Sequence, residues 1–165
     1  MKETLGWFSK KVLFPLLPFA IAALIRYLNS SQFSWQIFDG GELSFSMAIS
    51  SILIMSSASR LPDKALRDSL TTIYIFILVF FLVMFACSSL LKVQTESDMS
   101  TQINQLKNLL QPGSNVPPSA LLIVDNMHAN GSLKVFDTIR KCAFFFSLIT
   151  VPGAIIIKSR YPLED

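Results

Sequence analysis

The sequence LTTIYIFILVFFLVMFACSSLL, which runs from Leu70 to Leu91, decides the fold of this chain. It contains no charged residue, and no proline or glycine interrupts it. As an α-helix it would be about 33 Å long at roughly 1.5 Å per residue, which matches a bilayer hydrocarbon core of about 30 Å. The stretch therefore predicts a helix that crosses a membrane.

The composition of the whole chain agrees with insertion into a membrane. Of its 165 residues, 52% are apolar and 15% are charged, whereas soluble domains contain about 25% charged residues. A soluble globule of this size could not hide so much apolar surface from water. We therefore predict a single all-α domain over residues 1–165, built as an integral membrane four-helix bundle.

Three further apolar segments complete the four predicted spans, which are residues 12–28, 43–58, 70–91 and 142–157. Basic residues flank the start of the first span, the short link between the second and third, and the end of the fourth. The link between the first and second spans contains Asp39 and Glu42 but no lysine or arginine. Because basic residues concentrate on the cytoplasmic side, this pattern predicts a multi-pass inner-membrane protein with both termini in the cytoplasm.

Residues 92–141 form an insertion that is too long for a bare loop. Four apolar residues of its first half share one helical face: Met99, Ile103, Leu106 and Leu110. They predict a separate helix from Asp98 to Gln111, which the Pro112-Gly113 pair ends. The apolar run from Ala120 to Val124 favours a short buried strand, and Asn130-Gly131 is typical of a turn. We expect these elements to form a small ordered cap outside the bilayer.

The second span is the most polar of the four, and it contains seven serines between Ser44 and Ser59. Ser46 and Ser50 lie one helical turn apart, a spacing of small residues that lets helix backbones approach closely. Ser46, Ser50 and Ser57 therefore predict either a helix-packing or oligomer contact, which we favour, or the wall of a pore. The third span is purely apolar over most of its length, and the phenylalanines that we expect to face lipid are Phe76, Phe80, Phe81 and Phe85.

The short link between the second and third spans contains three basic residues that share a helical face at positions i, i+4 and i+7: Arg60, Lys64 and Arg67. They predict a docking site for anionic lipid headgroups or for a cytosolic partner, and both alternatives stay open. In the fourth span, Pro152 and Gly153 predict a break or kink that could act as a hinge.

Arg26 is the one charged residue inside a predicted span, and it lies near the end of the first. We expect its long side chain to reach the headgroup region or to pair with Asp39 or Glu42 across the short link. Both alternatives are structural, and we favour them over a role in transport.

The sequence predicts no catalytic residue, no cofactor and no metal site. Its only histidine, His128, has Asp125 three residues before it, and two ligands are too few for a metal ion. Glycine-rich phosphate loops and nucleophile elbows are absent from the sequence. We therefore expect a protein that acts through contacts with other molecules.

Three functions agree with such a chain. The first is a non-enzymatic oligomeric membrane anchor or sensor that couples the bilayer to a soluble cytosolic effector. The second is an ion channel or small transporter subunit, with the second span as pore wall. The third is an immunity protein that blocks a pore-forming toxin inside the membrane. The scarcity of charged residues within the spans disfavours active transport.

The layout resembles the KwaA family, the small four-helix membrane subunits of the Kiwa antiphage defence system. The likeness consists of the chain length, the four spans, the basic Lys10-Lys11 pair and the long insertion before the last helix. It covers the whole chain and involves no diagnostic motif, so it assigns no role to a particular residue. The resemblance implies a bacterial inner-membrane homo-oligomer, such as a tetramer, that senses phage attack. It also implies that KwaB, a cytosolic DNA-binding subunit, is the partner. The basic residues lie beside the apolar segments, so we expect the chain itself to contact membrane lipids and not nucleic acid.

Overall fold

The structure is a computed structural model that describes residues 2–30, 34–109, 132–161 and 163. Helices make up almost all of these residues, and no strand occurs among them. The all-α prediction is therefore confirmed for the described part of the chain. Several predicted features lie outside it: the helix end at Pro112-Gly113, the strand at Ala120–Val124, His128 and the turn at Asn130-Gly131.

The first span is a helix in three sections: α1 (Lys2–Phe8), a π-helical turn (Ser9–Leu13) and α2 (Phe14–Ser30). The wide turn lies directly before Pro15, whose ring nitrogen has no hydrogen to donate to the preceding turn. The Phe14 N–H group instead donates to the carbonyl of Ser9, the i→i+5 bond of a π-helix. Proline therefore loosens the first helix near its start without ending it.

A short link with a 3₁₀ turn over Trp35–Ile37 joins α2 to α3 (Gly40–Ala58). Asp39 is the N-cap of α3. Its Oδ1 atom accepts hydrogen bonds from the backbone N–H groups of Gly41 at 2.7 Å and Glu42 at 3.2 Å. Because these donors have no partner within the first turn of a helix, the cap fixes where α3 begins.

The third span belongs to one long helix, α4 (Lys64–Leu109). Asp63 caps its start by accepting backbone N–H bonds from residues two and three positions later. The prediction of a separate helix from Asp98 is wrong, because α4 passes through this position without interruption. No glycine or proline separates Leu91 from Leu109, and extending a helix costs far less free energy than starting a new one.

The fourth span belongs to α5 (Ser132–Arg160), which begins well before Cys142. Of the break or kink predicted at Pro152-Gly153, the break is wrong, because the helix continues past both residues, and the kink stays a prediction. In an apolar environment unpaired backbone groups are costly, so a transmembrane helix tolerates proline by local adjustment and does not unwind.

Four described helical stretches are long and apolar enough to cross a membrane: Thr4–Ser30, Gly40–Ala58, Lys64–Lys107 and Lys134–Arg160. Each of them contains one of the four predicted spans. The chain is therefore an all-α protein with four candidate transmembrane helices, as the sequence predicts.

The other helices surround α3. It packs most extensively against α4, and it also packs against α5 and α2. In α3, 61% of the most apolar window is buried within the chain, against 17% in each of the other three spans. The outer helices therefore turn much of their apolar surface outward, as expected of helices that contact lipid.

One buried cluster holds the chain together at the end where α1, the link after α3 and the end of α5 meet. We call this end the Trp7 end. The buried members of the cluster are Trp7, Val12, Ile54, Ala58, Leu61, Leu70, Tyr74, Ala154 and Leu163. These residues come from α1, the π-helical turn, α3, α4 and α5, so the cluster holds Trp7 and Leu163 beside the link after α3.

A second buried cluster lies nearer to the start of α3 and contains Leu43, Met47, Ala48, Phe81 and Ala143. Phe81 is 0% exposed, so the prediction that it faces lipid is wrong. Its ring fills the contact between α3, α4 and α5. Phe76 agrees with the prediction, since it is 71% exposed.

Candidate functional site

The end of the helices opposite the Trp7 end contains a group of paired charges, and we call it the Asp39 end. Arg26 on α2 donates from Nη1 to Glu42 Oε2 at 2.9 Å and to the carbonyl of Ile37 at 3.1 Å. A second bond joins Arg26 Nη2 to Glu42 Oε1. The structure thus selects Glu42 as the partner of Arg26. Such a two-bond arrangement fixes the orientation of both groups as well as neutralising them.

A second ion pair ties the start of α3 to α4. Lys92 Nζ lies 2.5 Å from Asp39 Oδ2, and the Asp39 side chain is only 15% exposed. Burial alone raises the pKa of this carboxyl, but the bond and charge of Lys92, with the N–H groups of Glu42 and Gly41, outweigh burial and hold the pKa below its ordinary value of 3.8. Asp39 is therefore ionised at neutral pH and joins three elements: the link, α3 and α4.

We expect this pair to make the stability of the fold depend on pH. Because the pKa of Asp39 is lower in the folded chain, its ionised form stabilises the fold above the unfolded pKa, and this contribution disappears as pH falls through the folded value. As pH falls from about 6 to about 3, wild type should lose more of its free energy of unfolding than Asp39→Asn, because only the wild-type carboxylate can be protonated. Unfolding of both chains by detergent titration at each pH measures the two free energies of unfolding. Asparagine is chosen because its side-chain oxygen can still cap α3. Parallel pH profiles would disprove this role of Asp39.

Two glycines allow α3 to approach its neighbours at the Asp39 end. A Cβ atom on Gly40 would lie 2.7 Å from the Cα of Arg140, and one on Gly41 would lie 2.9 Å from the Cβ of Ser88. Both distances are too short for carbon atoms, so only glycine fits. The role of this pair was not predicted from the sequence. A signal was available, since two adjacent glycines follow a capping aspartate. Glycine destabilises a helix, so two glycines at its start indicate that a neighbouring element packs closely there.

The three serines that were predicted as contact or pore residues are buried within the chain. Ser46, Ser50 and Ser57 are 3%, 1% and 2% exposed. Ser50 donates to the carbonyl of Ser46 at 3.0 Å, and Ser57 donates to that of Leu53 at 3.3 Å. Such bonds satisfy the hydroxyl donor within its own helix. These serines therefore allow close packing of α3 inside one chain, while their roles in an oligomer or a pore stay predictions.

The three predicted docking residues lie at the Trp7 end but do not share a helical face. Arg60 lies in the turn after α3, whereas Lys64 is the first residue of α4 and Arg67 follows one turn later. The expectation of one continuous face is wrong because Asp63 caps α4 only at Lys64. Lys64 is exposed, and Arg67 Nε lies 3.6 Å from Asp68 Oδ1. The predicted docking role stays a prediction.

The predicted hinge residues lie in the middle of the second half of α5. Pro152 is exposed, and a Cβ on Gly153 would meet no atom within 4 Å. Among the described residues, Gly153 therefore serves no close helix contact, unlike Gly40. A hinge at this place stays a prediction.

No protein-family model, curated protein or solved structure matches this chain. Among the described residues, no group of three or more His, Cys, Asp or Glu side chains could hold a metal ion. The class that the fold defines is an all-α protein with four candidate membrane spans and one end fastened by ion pairs. Its function has to be inferred from this geometry.

Proposed function

We propose that the chain is a non-enzymatic membrane anchor and sensor of the bacterial inner membrane. In this proposal, copies of the chain assemble into a homo-oligomer of four-helix bundles. The insertion over residues 92–141 faces outward with its small cap, and the Trp7 end binds a cytosolic effector. The biological role is antiphage defence, with a KwaB-like subunit as effector, as the resemblance to the KwaA family implies.

The continuity of α4 is the observation that supports this proposal best. Its 46 residues would be about 69 Å long at roughly 1.5 Å per residue, more than twice the thickness of a hydrocarbon core of about 30 Å. The helix starts at the predicted docking residue Lys64 and ends in the insertion. A displacement of its outer part would therefore move its inner end, since one rigid element contains both.

The contacts at the two ends support the orientation. The Asp39–Lys92 pair places the first link and the start of the insertion at the same end. At the other end, Lys158 Nζ lies 5.8 Å from the ring centroid of Trp7, and Leu163 packs in the same cluster as Leu61. The basic residues of the termini and of the link after α3 thus gather at the Trp7 end. A basic end of this kind faces the cytoplasm in most membrane proteins.

Purification of the full chain in mild detergent, from the bacterium that encodes it, tests the proposal. We expect a protein mass that is a multiple of 18.4 kDa, and a soluble protein that purifies with it. Reversing three charges at the Trp7 end, with Arg60→Glu, Lys64→Glu and Arg67→Glu, should reduce recovery of that partner by about tenfold or more, because like charges brought together at an interface cost several kcal/mol.

A matched variant makes the same change in charge beyond the Asp39 end, with Lys107→Glu, Lys134→Glu and Lys141→Glu. It should leave the recovery of the partner unchanged. Equal recovery from both variants would refute docking at the Trp7 end, and a mass of one chain would refute the homo-oligomer. Cells that lack the chain should be infected by phage more efficiently, and equal infection would refute the role in defence. Membrane conductance that Ser50→Leu abolishes would support a channel instead.

A further inference from the structure

An open apolar groove separates α2 from α5, and α3 forms its floor. Its volume is about 410 Å³, and its walls include Leu16, Ala20, Met47, Leu148 and Val151. Ala20 and Leu148 are exposed, so the groove opens toward the outside of the chain. The one hydroxyl in its wall, that of Ser147, donates to the carbonyl of Ala143 at 2.7 Å. The groove therefore offers an apolar ligand an apolar surface at membrane depth.

A polar pocket of about 480 Å³ lies on the same face of α5, one to two turns closer to its start. Its walls include Gln36, Asp137 and Arg140, together with Trp35. Arg140 and the groove residue Ser147 are seven residues, or about two helical turns, apart, so they point to the same side of the helix. The polar pocket and the apolar groove thus follow one another along α5.

Aromatic rings line the passage between the pocket and the groove. The ring of Phe144, which lines the groove, lies 4.7 Å from that of Trp35 and 5.5 Å from that of Phe38, centroid to centroid. Trp35 also lines the polar pocket and is 43% exposed. Tryptophan prefers the boundary between hydrocarbon and headgroups, so this cluster marks the depth at which the environment changes.

The charges around the pocket favour an anion. Arg140 is 14% exposed at its side chain, and its Nη1 lies 3.4 Å from Asp137 Oδ1, a long bond. Asp137 Oδ2 has a closer partner in Lys141 Nζ, at 2.5 Å. The Nε atom of Arg140 is buried and has no hydrogen-bond partner among the described residues. Two cations and one carboxylate thus leave one positive charge beside the pocket, with Arg140 incompletely bonded.

The geometry points to a binding site for one membrane phospholipid. We propose that its phosphate binds the guanidinium of Arg140 in the polar pocket and that one acyl chain lies in the groove between α2 and α5. Arg140 and Pro152, which line the two ends, are about 18 Å apart at roughly 1.5 Å per residue, close to the half-thickness of about 15 Å that one leaflet supplies. A phospholipid carries an anionic group and an apolar chain in one molecule, so it matches both the cation and the groove. An apolar helix of a second copy would match only the groove. The site requires membrane insertion and is independent of the effector.

Quenching of tryptophan fluorescence tests this site. The full chain carries two tryptophans, and Trp7→Phe leaves Trp35, at the mouth of the groove, as the only reporter. The chain is reconstituted in phosphatidylcholine vesicles with a minor fraction of phosphatidylglycerol that carries bromine atoms on one acyl chain. We expect stronger quenching than by the same fraction of brominated diacylglycerol, which has the acyl chains but no phosphate. Equal quenching by the two lipids would overturn the proposal.

Substitutions at Arg140 and Ala20 locate the site. Arg140→Gln removes a charge-assisted bond and should weaken apparent binding of the phospholipid by about tenfold, while Arg140→Lys should restore part of it. Ala20→Phe fills the groove and should abolish the excess quenching, whereas the matched Ala86→Phe on the exposed side of α4 should not. Equal effects of the two phenylalanines would overturn the proposal.

Native mass spectrometry measures bound phospholipid on chains that keep Trp7, so this second test does not depend on the Trp7 substitution. Wild type and Ala86→Phe should retain a phospholipid after detergent extraction, and Ala20→Phe should retain none. If Ala20→Phe instead changes the number of chains in the particle and leaves lipid retention unchanged, the groove is a protein interface and the proposal is wrong. Competition by free inorganic phosphate would also count against a lipid ligand.

Discussion

Replacing Gly40 by Ala is expected to lower the free energy of unfolding by about 3 kcal/mol, the upper part of the range for overpacked cores. The added Cβ would lie 2.7 Å from the Cα and 2.9 Å from the backbone nitrogen of Arg140. A side chain could rotate away from such a contact, but backbone atoms of a helix cannot. The variant must therefore move α5 away from α3. Unfolding of the purified chain in mixed detergent micelles measures the loss.

Gly153→Ala is the matched control, because it makes the same chemical change within a helix. A Cβ at this position would meet nothing within 4 Å, and alanine favours a helix over glycine by about 1 kcal/mol. This variant should be as stable as wild type or slightly more stable. Similar stability of the two variants would show that α3 and α5 do not approach each other as the structure has them.

The second large effect is expected for Phe81→Ala. Phe81 is fully buried between α3, α4 and α5, so truncation leaves a cavity of up to about 100 Å³, which costs about 2 kcal/mol at roughly 24 cal/mol per Å³. The cost arises from lost packing, since the lipid would solvate the ring equally well in separated helices. The same micelle titration measures the change.

Phe76→Ala serves as the control on the same helix. Phe76 is 71% exposed, and its truncation exchanges a contact with lipid for another contact with lipid. We expect a change of less than about 0.5 kcal/mol, as for substitutions away from packed sites. If Phe76→Ala destabilised the chain as much as Phe81→Ala, the face of α4 that packs inward would be wrongly assigned.

The contrast between these two phenylalanines shows why the inward face of α4 was not predictable. In a soluble helix, polar residues mark the outer face, because water excludes apolar side chains from it. The run from Leu70 to Leu91 is apolar on every side, and lipid accepts each of those sides equally. Only contacts with α3 and α5 distinguish Phe81 from Phe76.

Charge pairing at the Asp39 end was predictable in part. An arginine near the end of a span requires compensation, and Asp39 and Glu42 are the acidic residues of the neighbouring link. The choice of Glu42 for Arg26 and of Lys92 for Asp39 depends on the distances between α2, α3 and α4. The spacing of these residues along the sequence does not predict the distances between them, because the partners lie on different helices.

The sequence alone determined that the described part of the chain is helical and that it contains four helices long and apolar enough to cross a membrane. These properties depend on the balance of apolar and polar residues, and the membrane accepts only helices with such a balance. Only the tertiary structure decided that Gly40 and Gly41 allow α3 to approach α5 and α4, that α4 continues without a break into the insertion, and that a groove opens between α2 and α5. These features depend on how closely particular surfaces approach, and in lipid no polar pattern along the chain records which apolar faces meet.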